Sequence, residues 1–463
     1  MRQHERRTMN DKKSHETVSR RQLLRIGGRA TLGVGLSHWI GGGGSAAAPR
    51  DDPRKQKWLT SMTDPFREQL LAAGKDLPAR VKACAEPLRD EPAFDPDDIA
   101  RRAAQIRLPD GARFEHAMLE RVVRIGLAHI DATFQGDHPK YGIEKYMWAK
   151  CDGFPPTIIS AVDALSLWGN IERAKQLMSY WMQTFIYRDG SIQFQGPSLS
   201  EYGQLLTTVR NLVERGAGQE WLDRHRRILQ TMVGYLEGLA TAAGKVALLA
   251  GVPEDDRRHD PATYFHNNAW VVRGLRDWGK LSSAAETRRL TRLADALHDQ
   301  LLQAIRDVWP DDPNDWWLPP TVETSLPKGG KIKRPAYVTE SVISSYTNYR
   351  YWPELLSSGV LPRSLAERIV FARLNGGGQF LGMTRFRNFL DDWPLYNWLD
   401  GLWQLGRYDD FRLSLWGHIY YSQAEGHFTA YEAVHFPPGR KVSPYCLPCQ
   451  LVAVRAAAKL ALA

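Results

Sequence analysis

The sequence lacks the marks of several large classes of protein. No stretch offers about 20 uninterrupted apolar residues, so no stable membrane span is expected. No G-x-S-x-G motif, Walker-type loop or strand-linked G-x-G-x-x-G motif occurs, so nucleotide cofactors are not predicted. The chain holds only four cysteines among 463 residues. The pair in Cys446-Leu447-Pro448-Cys449 has no second C-x-x-C pair or His cluster beside it, so we predict buried thiols rather than a metal or redox site.

Basic charge is also scarce once the N-terminus is set aside. The formal net charge is +9, but residues 1–48 hold nine Lys and Arg against three acids, which leaves the rest of the chain at +3. No basic stripe remains to indicate binding of nucleic acid. The charge therefore reflects the N-terminal segment rather than a nucleic-acid surface.

The N-terminal segment resembles a twin-arginine export signal. Ser19-Arg20-Arg21-Gln22-Leu23-Leu24-Arg25 precedes a weakly apolar stretch to Ile40, and Ser45-Ala46-Ala47-Ala48 is typical of a cleavage region. We expect residues 1–48 to engage the twin-arginine translocase and to be removed, and the protein to be periplasmic or secreted. Residues 49–112 form a lead-in segment with short helical patterns near 54–74 and 96–107.

From residue 113 onward, apolar residues recur at helical spacing in twelve segments, which predicts an all-α domain over 113–463. The only strand pattern predicted is a short hairpin about Asp189-Gly190. The predicted helices span 113–135, 153–168, 170–187, 201–216, 219–243, 266–279, 282–308, 337–350, 362–374, 392–405, 408–424 and 445–461.

The connections alternate between tight and long. Tight links such as Gly169-Asn170 produce antiparallel helix pairs, and the alternation places all the long loops on one face. Helices after long loops are apolar on more than one side, whereas those after short loops carry charged stripes. We therefore predict an (α/α)6 toroid with six inner and six outer helices.

Four stretches carry a family resemblance that covers roughly residues 113–463. Asp152-Gly153-Phe154-Pro155-Pro156-Thr157, Glu201-Tyr202-Gly203-Gln204-Leu205-Leu206, His266-Asn267-Asn268-Ala269-Trp270 and Leu390-Asp391-Asp392-Trp393-Pro394 are similar to bacterial members of the six-hairpin glycosidase superfamily. The resemblance implies the same toroid and a carbohydrate substrate. Similar proteins often continue into a β-sandwich, whereas this chain ends at Ala463 in the last inner helix.

Glycoside hydrolysis needs two carboxyl groups, one as acid and the other as base or nucleophile. Asp392 and Glu432 are the leading pair, because each lies in a long loop rich in aromatic residues, where burial would raise the pKa of a carboxyl. Asp152 and Glu201 are the reserves. Asp391-Asp392 is also suited to cap the helix that follows it, with Pro394 in the first turn.

Sugar-binding sites combine aromatic platforms with Arg, Asn and His. Candidates on the long loops are Trp148, His266, Asn267, Asn268, Trp316, Trp317, Arg385, Arg387, Trp393, His427 and Tyr431.

The favoured function is an exported glycoside hydrolase with no cofactor or metal. Two alternatives share the fold. His266-Asn267-Asn268 would suit a polysaccharide lyase, in which Asn, His or Arg neutralises a uronate. The third possibility is a carbohydrate-binding protein without activity.

Overall fold

The computed structural model describes residues 76–88, 91, 94–194, 198–254, 260–310, 315–326, 330–435 and 442–462. The predicted export signal over 1–48 and the helical pattern near 54–74 lie outside these residues. Two helices of the lead-in segment are described, α1 (Leu77–Leu88) and α2 (Pro96–Gln105). Helix α2 confirms the pattern at 96–107, whereas α1 was not predicted. Both pack on the helices that follow, and their apolar side chains join the main core.

Twelve helical segments then follow, ten of them in five consecutive hairpins, while the first packs against the last. They are α3 (Ala117–Thr133), α4 (Pro155–Leu167), α5 (Ile171–Phe185), α6 (Leu199–Leu212), α7 (Gln219–Thr241), α8 (Phe265–Gly279), α9 (Ala284–Val308), the composite of α10 (Val342–Tyr346), a π-helical turn (Thr347–Tyr351) and α11 (Trp352–Ser357), then α12 (Arg363–Asn375), α13 (Leu395–Gln404), α14 (Tyr408–Tyr421) and α15 (Leu447–Ala461). The positions agree with the predicted helices.

The inner ring is closed. Helices α4, α6, α8, α11, α13 and α15 each pack against the next, and α15 packs against α4. Residues Pro155–Ser166 of α4 are all buried, as expected for a helix surrounded by others. Outer helix α9 instead buries one stripe, Leu290, Leu293, Ala294, Leu297, Leu301 and Ile305. The predicted (α/α)6 toroid is confirmed.

Two glycines allow the closest contact in this ring. A Cβ on Gly203 of α6 would lie 1.9 Å from the carbonyl oxygen of Trp270, and a Cβ on Gly274 of α8 would lie 2.5 Å from Cα of Gly203. The backbones of α6 and α8 are therefore too close for any side chain at these positions.

One inner helix is longer than predicted. The sequence pattern ended it at residue 350, but the helical backbone continues to Ser357, so the tight link is residues 358–362. Pro353 follows the π-helical turn at once. Such a turn already shifts the regular hydrogen-bond ladder, which lets the chain accommodate a proline without ending the helix.

The long connections hold strands that were not predicted. β1 (Ser325–Leu326) pairs with β2 (Gly330–Lys331), and β3 (Gln379–Phe380), β4 (Met383–Phe386), β5 (Phe389–Asp391) and β6 (Ala433–His435) form a four-stranded antiparallel sheet. The predicted hairpin about Asp189-Gly190 is confirmed as a single bridge between Ile186 and Ile192. The larger sheet matters most here, because it joins the connections before α13 and α15.

The cysteines lie where expected. Cys446 immediately precedes α15 and Cys449 lies in its first turn, and both are buried free thiols. Among the described residues, no helix is both long and apolar enough to cross a bilayer.

Candidate active site

Three long connections meet at one face of the toroid. The sheet joins the connection before α13 to the connection before α15, with Asp391 opposite Ala433. Tyr141 and Tyr146, from the connection before α4, both reach Glu432. We call the surface formed by Tyr141, Tyr146, Phe154, Trp393 and Glu432 the mouth.

Glu432 is the carboxyl group of the mouth. Its side chain is half-buried, and its two oxygens accept hydrogen bonds from the hydroxyl groups of Tyr141 (2.8 Å) and Tyr146. Removal from water raises its pKa to about 7, although the Tyr141 hydroxyl and the nearby Lys145 ammonium group act in the opposite direction. A carboxyl group with this pKa can hold a proton near neutral pH and donate it.

Aromatic rings line the mouth beside this carboxyl group. The ring of Phe154 contacts those of Tyr141 (5.3 Å between centroids), Phe194 (5.1 Å) and Trp393 (5.6 Å). Trp393 is half-buried and also contacts Tyr349 at 5.9 Å. The half-buried Trp393 ring can present a flat face to the C–H groups of a sugar, whereas the Phe154 and Tyr141 rings are buried.

A charged cluster lies directly behind Trp393. The Arg350 guanidinium lies 5.0 Å from the Trp393 ring centroid and forms ion pairs with Glu201 (2.9 Å), Glu354 (2.6 Å) and Glu254. Burial raises the pKa of Glu201 to about 7, with Arg350 opposing the shift. A buried acid on an inner helix needs a partner, and Arg350 is that partner for Glu201.

A small cavity of about 20 Å³ lies in the centre of the ring beside this cluster. Its lining includes Gln204, Glu354, Trp393 and Asn397. The Glu354 Oε2 and Gln204 Nε2 atoms are buried without a hydrogen-bond partner. A polar cavity of this size can hold one water molecule.

Asp392 does not face the mouth. Its backbone N–H donates to the carbonyl of Glu432 (3.1 Å), but its carboxylate accepts from the backbone N–H of Thr384 (2.7 Å) and pairs with His418 Nδ1 (3.0 Å). The predicted N-cap role is wrong, since α13 begins at Leu395 and has no side-chain cap. With an exposure of 1%, Asp392 cannot contact a substrate in this conformation.

Asp152 has a structural environment as well. Both of its oxygens accept hydrogen bonds from the Lys140 ammonium group at 2.9 Å, and one also bonds to His138 (2.7 Å). The carboxylate is buried, and its bonds to His138 and Lys140 link the two ends of the connection before α4. It does not cap α4, where no side-chain cap is found.

The His266-Asn267-Asn268 run fixes loops rather than facing the mouth. Asn267 accepts from the Ser200 N–H (3.1 Å) and the Ser198 hydroxyl, and Asn268 bonds both backbone polar groups of Leu249. His266 is buried and stacks on Tyr351 at 4.4 Å. In this conformation the run therefore does not reach the mouth, where a uronate would have to be neutralised.

The remaining binding candidates divide by exposure. Trp148 is 58% exposed and Trp393 half-buried, so both are accessible. Trp316 (1%), Trp317 (3%), Tyr431 (2%) and Arg385 (1%) are buried, which excludes them as platforms in this conformation.

The other two candidates are half-buried. His427 bonds to Thr429 and lies edge-on to Phe94. Arg387 lies in a turn with a φ of 52°.

Sequence reasoning missed Arg350 and Glu354, the centre of the buried cluster. The signal was present: an Arg–Glu pair at i and i+4 on an otherwise apolar helix. It was overlooked because the helix was ended at residue 350. Tyr141 was missed because nothing in its own segment reveals a contact with Glu432, 291 positions away.

Within the described residues, no group of three or more His, Cys, Asp or Glu side chains could hold a metal ion.

The fold is similar to that of solved glycosidases. A wild-type glycosidase matches with a TM-score of 0.53 at 13% identity, covering 74% of this chain and 97% of that one. A glycosidase variant in complex with glucose gives the same TM-score and coverage at 14% identity. No protein-family model and no curated protein matches the sequence. The chain thus shares its (α/α)6 toroid with glycosidases.

Proposed function

We propose that this protein is a glycoside hydrolase whose general acid is Glu432. The observation that carries the proposal is the half-buried Glu432 carboxyl group, which has a pKa raised to about 7 and lies among aromatic rings at the mouth. The similarity of the fold to glycosidases supports it. The substrate would be an oligosaccharide or polysaccharide.

The reaction needs Glu432 protonated at the start. The carboxyl group would donate its proton to the glycosidic oxygen as the bond to the sugar breaks, which neutralises the leaving group. Tyr141 and Tyr146 hold both carboxyl oxygens in place. Their hydroxyl groups also stabilise the carboxylate that forms when the proton leaves.

The second carboxyl group would come from the Arg350 cluster. Glu354 is favoured, because its Oε2 accepts no hydrogen bond, with His266 Nε2 4.0 Å away, and because it lines the central cavity beside Trp393. As general base, Glu354 would take a proton from a water molecule that attacks the sugar. Glu201 would then help to keep Arg350 in place. This arrangement replaces the Asp392–Glu432 pair.

The lyase alternative has less support. A lyase needs a base to remove the C5 proton, and Tyr141 is a poor candidate because burial raises its pKa well above the usual value. We retain export through the twin-arginine pathway as a proposal based on residues 1–48.

The test is hydrolysis of a panel of neutral and acidic glycans, followed through new reducing ends. Glu432→Gln should slow the reaction by about 10²- to 10⁴-fold. Glu425→Gln is the matched control, since it lies in the same connection with a side chain that is 81% exposed. We expect this control to keep wild-type activity.

Three results would count against the proposal. Wild-type rates in Glu432→Gln would exclude Glu432 as the acid. An unsaturated, ultraviolet-absorbing product would indicate a lyase. Binding of glycans without any new reducing ends would indicate a protein that only binds carbohydrate.

A further inference from the structure

A second cavity opens beside the mouth. It has a volume of about 400 Å³ and is lined by Ala149, Lys150, Gly153, Phe185, Tyr187, Ile192, Gln193 and Phe194. We call it the side cleft. Its residues come from the connections before α4 and α6 and from the end of α5, whereas the mouth uses the connections before α4, α13 and α15. Its size is that of a site for a small molecule or for a few sugar units.

The side cleft has a rim of exposed aromatic residues. Large apolar side chains on a folded surface often mark a binding site when they cluster. Among the described residues, three aromatic side chains are exposed: Trp148 (58%), Tyr187 (51%) and Tyr408 (48%). Tyr187 lines the cleft, and Trp148 borders it through the Lys150 ammonium group, 4.8 Å from the Trp148 ring centroid. One exposed ring therefore lines the cavity, and a second contacts a residue that lines it.

Polar groups accompany these rings. Lys150 and Gln193 are exposed at the cleft and offer hydrogen-bond donors. The backbone at Gly153 packs closely against its neighbours in the cleft. A Cβ on Gly153 would lie 2.7 Å from the carbonyl oxygen of Gln193 and 2.9 Å from the Phe185 ring. A ligand in the cleft would thus meet aromatic walls and a few polar donors, the combination that sugars require.

Packed aromatic rings join the side cleft to the mouth. Phe194 lines the cleft and lies 5.1 Å from Phe154, which lies 5.3 Å from Tyr141, the donor to Glu432. These two ring contacts together cover at most about 10 Å, a length that an oligosaccharide of a few units can span. One saccharide chain could therefore occupy the cleft and present a linkage to Glu432.

We propose that the side cleft is an extended subsite that holds the saccharide chain on one side of the bond to be cleaved. This inference rests on the proposed function and adds that the substrate is a chain of several sugar units rather than a disaccharide. Tyr187 is its principal specificity-determining residue, with Trp148 as a second platform.

The test measures binding separately from cleavage. Calorimetry would use the Glu432→Gln protein with disaccharides and hexasaccharides of the cello-, manno-, xylo-, malto- and galacturonate series. At least one hexasaccharide should bind more tightly than its disaccharide. Adding Tyr187→Ala should weaken binding of that hexasaccharide roughly 3- to 10-fold, as expected for the loss of one aromatic contact, and should leave disaccharide binding unchanged.

The matched control is Tyr408→Ala in the same background, which removes an equally exposed ring from outer helix α14. It should bind every saccharide as the parent does. Failure of all hexasaccharides to bind would overturn the inference. So would an equal hexasaccharide affinity with and without Tyr187.

Hydrolysis that depends on Glu432 combined with no effect of Tyr187→Ala would reject the subsite alone. Binding in the cleft without hydrolysis by the wild-type protein would reject the proposed function alone.

Discussion

Glu432 and Asp392 lie next to each other at the ends of paired strands, yet their carboxyl groups occupy opposite environments. The Asp392 N–H donates to the Glu432 carbonyl, so the two backbones are in contact. The Asp392 carboxylate faces inward, toward Thr384 and His418. The Glu432 carboxyl group lies at the mouth and accepts hydrogen bonds from the hydroxyl groups of Tyr141 and Tyr146. The comparison shows that the hydrogen-bond partners of a carboxyl group, more than its position in a loop, distinguish a structural acid from a candidate catalytic acid.

The surroundings of Asp392 and of Glu432 also differ in the charged groups near each carboxyl group. Behind the sheet, the buried Arg373 lies near Asp392 and bonds to Asn348 and Thr384. Burial lowers the pKa of Arg373 to about 9, and the charge of Asp392 opposes that shift. At the mouth, the charge that Glu432 would carry is opposed by burial. The inner region therefore places a basic group near its carboxyl group, whereas burial at the mouth favours a protonated one.

The largest expected difference is in stability. Asp392→Asn should lower the free energy of unfolding by about 3–5 kcal/mol, because it removes the negative charge that bonds to the buried His418 and lies near the buried Arg373. Glu432→Gln should change it by less than about 1 kcal/mol, since Gln keeps an acceptor for a tyrosine hydroxyl. Urea unfolding of both variants measures the difference. Equal losses would erase the distinction between the two acids.

The next effect concerns the pH dependence of hydrolysis. The Tyr141 hydroxyl favours the ionised form of Glu432, so Tyr141→Phe should raise the pKa of that group. Because a general acid must be protonated, activity should then persist to higher pH than in the wild-type protein. The alkaline limb of kcat/KM against pH measures this shift. Tyr408→Phe, with an exposed ring on α14, is the control and should leave the limb unmoved. A limb that moves to lower pH in Tyr141→Phe would contradict the assignment.

A smaller effect of the same sign is expected from Lys145. Its ammonium group also favours the ionised form of Glu432, but the side chain is exposed and its field is screened by salt. Lys145→Gln should move the alkaline limb upward at low ionic strength and by less at high ionic strength. The comparison variant is Lys333→Gln, which also removes an exposed charge. A shift that does not depend on salt would mean that Lys145 acts through the shape of the loop instead.

The sequence predicted the ring because helix packing leaves a local signal. Apolar periodicity located the helices, and the alternation of tight and long links gave their inner and outer positions. The one large boundary error occurred at Pro353, where a π-helical turn allows the helix to continue. Propensity alone does not reveal such a turn, since it depends on packing against the neighbouring helices.

The site could be predicted only in part, because its contacts are not local. Glu432 and Trp393 were identified from their loops, and both lie at the mouth. Asp392 was misjudged because strands of two to four residues, too short for a periodic pattern, orient its side chain inward. Trp316 and Trp317 were wrongly predicted to be exposed platforms, because the sequence of a long loop does not show whether its tryptophans are exposed or buried under that loop.

The most direct test of the account is the ionisation of Glu432 itself. Infrared difference spectra between the wild-type protein and Glu432→Gln, recorded across pH, isolate the carboxyl band of this one side chain. If Glu432 is the general acid, a protonated band should disappear with a midpoint near pH 7. A midpoint near the ordinary value for glutamic acid, about 4.3, would mean that Glu432 is ionised at neutral pH and cannot serve as the general acid.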